Sequence, residues 1–197
     1  LGDVYKRQIM VGTGKGAENG ILIKSAEALE TAHTIDTVVL DKTGTITEGK
    51  PRVTDIRTAD GLSETELLTI AASVEKPSEH PLSTAIVEEA ARRNLSLRAV
   101  TGFEAVAGQG VAAEVGGVRY LAGNRRMMEE NRIELGGFAE KGETLSGEGK
   151  TPLYFADEHR VLGLVAVADT PKPTSAQAVA AFRRLGIDVI MLTGDNQ

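Results

Sequence analysis

The 197 residues contain no cysteine, which removes disulfides, thiolate metal sites and thiol nucleophiles together. Histidines are scarce: His33, His80 and His159 stand far apart without ligand spacing, so no tightly bound transition metal is expected. Aromatic residues make up 4% of the chain, with no Trp, three Tyr and four Phe, too few for a stacking platform on nucleic acid. The formal net charge of −6 argues the same way, because a phosphate backbone demands a basic face. No nucleic acid is expected as a partner. Apolar runs such as residues 161–168 fall well short of the roughly 20 residues that cross a bilayer. No internal repeat and no low-complexity segment is present.

What remains is ordinary globular usage, 41% hydrophobic and 25% charged, enough for one large or two small domains. Residues 1–8 continue no later pattern and read as a non-native or sequencing scar. The chain begins with Leu1 and stops at Gln197 directly after a motif, so both ends read as cut from something longer. A helix is expected over residues 25–31, then an apolar strand over 36–40. Far downstream, Thr174 and Ser175 cap a helix that Gly186 ends, followed by a second apolar strand over 187–192. The unalternating character of the first of these strands suits a parallel sheet covered on both faces. The segment between them is an insertion of mixed α+β type. It opens with a strand near 51–58, and Ser63 to Glu66 forms a capping box for a helix. Pro81 suits the first turn of another helix. Short alternating segments around Phe103 and over 111–115, 118–122, 153–156 and 161–167 predict a sheet with two helices on one face. The Gly-rich stretch 136–150 predicts a mobile loop or hairpin.

Asp41 stands at the end of the first strand and opens the run Asp41-Lys42-Thr43-Gly44-Thr45. A carboxylate is ionised at neutral pH without a general base, and a strand end fixes its position while Gly44 lets backbone come close to a phosphate. The bland alternative is a carboxylate that merely caps a turn. In open α/β sheets ligands bind at the carboxyl ends of strands, so this loop and the polar loop Thr193-Gly194-Asp195-Asn196 can share one cleft. Asp41 and Asp195 suit a hard cation with phosphate. Thr193 could hold a phosphate oxygen, and Lys172 could neutralise charge in a phosphoryl-transfer transition state.

Asp41 to Thr45, Asp169-Thr170-Pro171-Lys172 and Thr193 to Asn196 occur in the order and spacing of P-type ATPases, which the sequence resembles over residues 9–197. Ser78-Glu79-His80-Pro81-Leu82, Gly108-Gln109-Gly110-Val111 and Gly123-Asn124 are similar to the nucleotide-domain signatures of the heavy-metal subgroup. The resemblance implies a fold: a haloacid-dehalogenase-like, Rossmann-like α/β phosphorylation domain with a parallel sheet, incomplete here, carrying an inserted α+β nucleotide-binding domain with an antiparallel sheet. The implied parts are a junction from a membrane helix over 9–25, phosphorylation domain over 26–51 and 168–197, and nucleotide domain over 52–167, with hinges near 50–52 and 167–169.

It further implies ATP and Mg²⁺ as cofactors and Asp41 as the phosphorylated nucleophile, with Lys172 and Thr193 as catalytic partners. Thr43, Gly44, Thr45, Gly194 and Asp195 would form the phosphate loops. Mg²⁺ would be held by the Asp41 carboxylate and the Thr43 backbone carbonyl. Glu75 and His80 would recognise adenine, Gly108 and Gly110 would let backbone approach the phosphates, and Gly123 with Asn124 would complete the pocket. The form of residues 9–18 is most similar to copper(I) exporters and less to zinc or cadmium pumps; this segment lacks the P-loop spacing. The implied cargo, Cu(I), would be bound by membrane helices absent from these residues, with this portion on the cytoplasmic side. The chain lacks the Thr-Gly-Glu-Ser and Gly-Asp-Gly-x-x-Asn-Asp motifs of the family, so it is expected to bind ATP but to turn over very weakly by itself. A haloacid-dehalogenase-like phosphatase is the main rival, but such enzymes usually carry a second Asp where this chain has Thr43. A nucleotide-binding regulatory module would leave Asp41 idle.

Overall fold

Ser63 and Glu66 show how locally the chain declares itself: the Ser63 hydroxyl accepts from the Glu66 amide at 3.2 Å, and the Glu66 carboxylate accepts from the Ser63 amide at 3.0 Å. Two otherwise unpaired donors of a helix start are satisfied reciprocally. The computed structural model describes residues 2–192, with side chains from residue 9 onward. In chain order the elements are α1 (Gly2–Glu18), α2 (Ala26–His33), β1 (Thr37–Asp41), β2 (Thr47–Thr58), α3 (Glu64–Glu75), α4 (Pro81–Arg92), β3 (Val100–Val106), β4 (Gly110–Val115) and β5 (Val118–Gly123). They continue with α5 (Arg125–Glu130), α6 (Gly137–Gly147), β6 (Thr151–Ala156), β7 (Val161–Pro171), α7 (Ser175–Arg184) and β8 (Asp188–Leu192). The chain divides into two compact units: one formed by both ends, up to Lys42 and from Pro173, and one formed by Thr43–Lys172.

In the terminal unit, Ser25 caps α2 by accepting from the Ala28 amide at 3.1 Å. The strands β1 and β8 pair in parallel, Thr37 opposite Asp188 through Asp41 opposite Leu192, as the two apolar runs predict. Their expected burial is not found: Val39 is 53% exposed and Ile190 50%, because among the described residues this sheet has two strands only. Gly186 ends the last helix with φ 76°, but Thr174 makes no side-chain capping bond. The glycine-bearing run Gly12 to Gly16 lies within α1 despite the low helix propensity of glycine.

The inserted unit is a six-stranded antiparallel sheet in the order β2-β7-β6-β5-β4-β3. Along β7 the side chains alternate between two cores. Val165 and Val167 pack with Leu67, Leu68 and Ile86 of α3 and α4. Leu164 and Ala166 pack with Met127, Met128, Phe138 and Leu145 on the opposite side. Each such large side chain stabilises the fold by roughly 1.5–3 kcal/mol when fully buried. The expectation of helices on one face is therefore corrected: α5 and α6 cover the second face, which is why residues 161–167 read as one unbroken apolar run. The Gly-rich stretch 136–150 is likewise not a loop but contains the eleven-residue helix α6. Its glycines hid it from propensity, and one of them is required by packing: a Cβ at Gly142 would lie 1.9 Å from the Tyr154 hydroxyl. The positions expected to hinge are paired across the β2–β7 ladder, with Pro51 opposite Asp169 and Arg52 opposite Ala168.

Candidate functional site

The end of α3, the start of α4 and the β3–β4 turn surround a cavity of about 520 Å³ in the inserted unit. Glu75, His80, Gly108, Gly110 and Asn124, predicted from four separate stretches of sequence, all line it. Glu75 is the last residue of its helix and only 3% exposed. Burial pushes its carboxyl above the ordinary carboxylate range, and a hydrogen bond from the Ser83 hydroxyl, at 2.6 Å, works against that rise. His80 caps α4, its Nδ1 accepting from the Leu82 amide at 3.2 Å. A nitrogen that accepts carries no proton, so the neutral ring holds its proton on Nε2. Among the cavity-lining residues only Glu75 and His80 are titratable, and the wall is otherwise largely aliphatic or glycine.

The two glycines of the β3–β4 turn serve different ends. Gly108 has φ 69° and a Cβ there would meet nothing within 4 Å, so it keeps open space at the cavity and allows the turn. Gly110 has a packing reason of its own: a Cβ would lie 2.1 Å from the Ala122 carbonyl oxygen and 2.5 Å from the Gly123 Cα. Gly123 is its ladder partner behind the wall and does not line the cavity. Asn124 pins the turn from the other side, its Nδ2 donating to the Gly108 carbonyl at 2.9 Å while its Oδ1 caps α5 through the Met127 amide. The backbone amide of Asn124 donates to the Gln109 carbonyl at 2.8 Å.

Asp41 ends β1 opposite Leu192 and is exposed. Immediately after it the backbone turns sharply: Thr43 has φ −77°, ψ 122° and Gly44 has φ 76°, ψ −14°. Those angles are the two central positions of a type II turn, and the second requires glycine. The carboxyl end of β7 clamps this turn. Lys172 donates from Nζ to the Gly44 carbonyl at 2.7 Å and from its amide to the Ile46 carbonyl at 2.9 Å. The Gly44 amide donates to the Thr47 hydroxyl at 3.1 Å, and that hydroxyl in turn bonds the Asp169 carboxylate. Asp169 also accepts from the amides of Gly49 at 3.1 Å and Lys50 at 3.2 Å. Asp169 and Ser83 were not singled out as site residues by sequence reasoning. The first was visible as part of the Asp169-to-Lys172 motif, whereas nothing in the spacing marks the second. Thr45 is exposed at the end of the turn. The predicted Thr193, Gly194 and Asp195 lie outside the described residues.

A family model for haloacid dehalogenase-like hydrolases matches residues 35–197. The whole chain aligns at 47% identity with a copper-exporting P-type ATPase of Bacillus subtilis (strain 168), covering 25% of it. At 46% identity it aligns with 24% of a silver exporting P-type ATPase of Salmonella typhimurium, again over its full length. The crystal structure of a zinc-transporting PIB-type ATPase in its E2.Pi state superposes with a TM-score of 0.86 at 39% identity, covering 95% of this chain and 30% of that one. The chain belongs to the haloacid dehalogenase-like hydrolases, in their heavy-metal P-type ATPase branch. It spans about a quarter of the length of the curated relatives it matches. Members of the P-type ATPase branch are ATP-hydrolysing metal transporters. No helix among the described residues is long and apolar enough to cross a membrane.

Proposed function

We propose that this chain is the ATP-binding and phosphorylation portion of a P-type ATPase that exports Cu(I). The observation that carries the reading is the convergence of Glu75, His80, Gly108, Gly110 and Asn124 on one cavity. The mainly apolar wall accepts a planar base, the buried carboxyl and the Nε2 of His80 supply polar contacts at one end, and the open backbone at Gly108 admits phosphates. The cargo ion rests on the likeness of residues 9–18 to copper(I) pumps, and relatives named for copper, silver and zinc all align closely.

In this reading ATP delivers its γ-phosphoryl group to Asp41. The bond from an Asp41 carboxylate oxygen to phosphorus forms as the bond from phosphorus to the β–γ bridging oxygen breaks, and ADP leaves with the electron pair. Lys172, anchored on the Gly44 carbonyl, would offset charge that develops on the transferred phosphoryl group. Thr193 and the Gly194-Asp195 loop would complete the phosphate contacts. Mg²⁺, when bound, offsets phosphate charge. The Asp41 carboxylate and Thr43 carbonyl would hold it, both residues being exposed oxygen donors of the kind that ion prefers. No cluster of three His, Cys, Asp or Glu residues suits a metal among the described residues, so further oxygen ligands must come from phosphate, water or elsewhere in the polypeptide. The cargo would be bound in membrane helices outside this chain, with this portion on the cytoplasmic side. Thr43 stands where haloacid-dehalogenase-like phosphatases usually carry a second Asp as general acid and base, which favours a long-lived acyl phosphate.

The test uses the full-length protein: Asp41→Asn should abolish acid-stable label from γ-labelled ATP while ATP binding persists. Phosphoenzyme retained in that variant would refute the nucleophile. The 197-residue chain alone should bind ATP with very weak turnover; robust multiple turnover would sink the reading of it as a dependent portion.

A further inference from the structure

A row of hydrogen bonds runs along the cavity wall through Glu75, Ser83, Ser78 and His80. The His80 amide lies 3.3 Å from the Ser78 hydroxyl, Ser78 and Ser83 hydroxyls are 2.9 Å apart, and Ser83 is 2.6 Å from Glu75 Oε2. A serine hydroxyl has one proton. With that of Ser83 directed to the carboxylate, Ser78 donates to Ser83, and the His80 amide donates to Ser78. The direction of every bond in the row is thereby set, and it connects the backbone of one base-contacting residue with the side chain of the other. Ser83 is 3% exposed, so water does not compete for its proton.

We infer that Ser83 is a positioning residue for nucleobase recognition: its hydroxyl occupies one oxygen of Glu75 and aims the other into the cavity as an acceptor. This rests on the nucleotide reading of the cavity and deepens it. An acceptor at that place matches the exocyclic amino group of a 6-aminopurine, whereas a 6-oxopurine presents a second acceptor and leaves two lone pairs opposed. Ser83 therefore contributes to preference for adenine over guanine nucleotides through Glu75. The direction of titration agrees: burial raises the Glu75 carboxyl and the Ser83 hydrogen bond alone opposes it. Around Glu75 the charged or titratable groups are Lys76 and Glu79 in the connection, both exposed, and His80 at the start of α4. The strand residues lining the cavity, from Ala105 to Val111 and from Thr151 to Leu153, carry none.

The experiment measures ATP and GTP affinity of the 197-residue chain by calorimetry from pH 4 to pH 9, for wild type, Ser83→Ala and Ser83→Thr. Loss of a hydrogen bond to a carboxylate raises its titration and lowers its ionised fraction about tenfold below the midpoint. Ser83→Ala should therefore weaken ATP binding about tenfold below both midpoints, with the deficit closing as the pH rises and Glu75 ionises in both proteins. GTP binding should change less, so ATP preference falls, and Ser83→Thr should restore the wild-type profile. A deficit of equal size at every pH, or none, overturns the inference. A carbon-detected titration of the Glu75 carboxyl without nucleotide should give a higher midpoint in Ser83→Ala, and an unchanged midpoint overturns it too. Should that variant not fold, Ser78→Ala, which removes the donor behind Ser83, must shift the same profile in the same direction with a smaller amplitude. Wild type that binds neither nucleotide would overturn the nucleotide reading and this inference with it. Wild type that binds ATP while Ser83→Ala matches it throughout overturns this inference alone.

Discussion

Replacing Asp169 by Asn tests whether the end of β7 sets the shape of the turn after Asp41. The carboxylate takes the Thr47 hydroxyl and the Gly49 amide on one oxygen and the Lys50 amide on the other. Hydrogen bonds to a charged acceptor contribute about 1.5–3 kcal/mol each when well shielded. Thr47 is buried, but Gly49 and Lys50 are exposed, so the lower end applies to the two amide bonds. Asparagine keeps one acceptor oxygen and turns an amino group towards the donors on the other. The expected loss is about 2 kcal/mol, local to residues 44–50, and Asp169→Ala should lose somewhat more. Because the Gly44 amide reaches Asp169 through Thr47, the loosening should extend to the turn itself. Native-state hydrogen exchange reads this directly: about 2 kcal/mol is roughly a thirtyfold faster exchange at the Gly44, Gly49 and Lys50 amides, with core amides of β6 unaffected. Unchanged exchange at all three would refute the argument that Asp169 organises the turn.

Gly110→Ala places a Cβ 2.1 Å from a ladder carbonyl and should destabilise the inserted unit by about 3 kcal/mol or more and abolish nucleotide binding, whereas Gly108→Ala, which meets no atom, should cost only about 1–2 kcal/mol for its left-handed backbone; urea unfolding separates the two. Glu75→Gln tests the burial of that carboxyl. Its folded-state value is raised above the unfolded one, so its contribution to stability is fully present below about pH 4.3 and is lost as pH rises through the raised value. The stability of the variant should lack this decline, and parallel profiles for both proteins from pH 4 to pH 8 would refute it.

Much of the inserted unit was legible because its signals are local. Ser63 and Glu66 form their capping box, Pro81 opens α4, and Ser25 caps α2 in the terminal unit, each within one helical turn of the residues that announce it. The parallel pairing of β1 with β8 followed from two short apolar runs, and the sequence resemblance to P-type ATPases agrees with the family found by comparison. What the sequence could not decide is everything that depends on a distant neighbour. Whether residues 161–167 face one core or two is settled only by the packing of α5 and α6 on the second face. Gly142 reads as a helix breaker until the Tyr154 hydroxyl is seen to occupy the place of its side chain. Gly110 has a packing reason that only the fold shows, since the Ala122 carbonyl lies 2.1 Å from the place of its absent Cβ. Asp169 reaches back across 119 to 122 residues to the turn it holds, and Ser83 meets Glu75 only because α3 and α4 pack side by side. The chemistry of each residue is written in its identity, but its partner is chosen by the fold, since hydrogen bonds and steric exclusion act over a few ångströms whatever the separation along the chain.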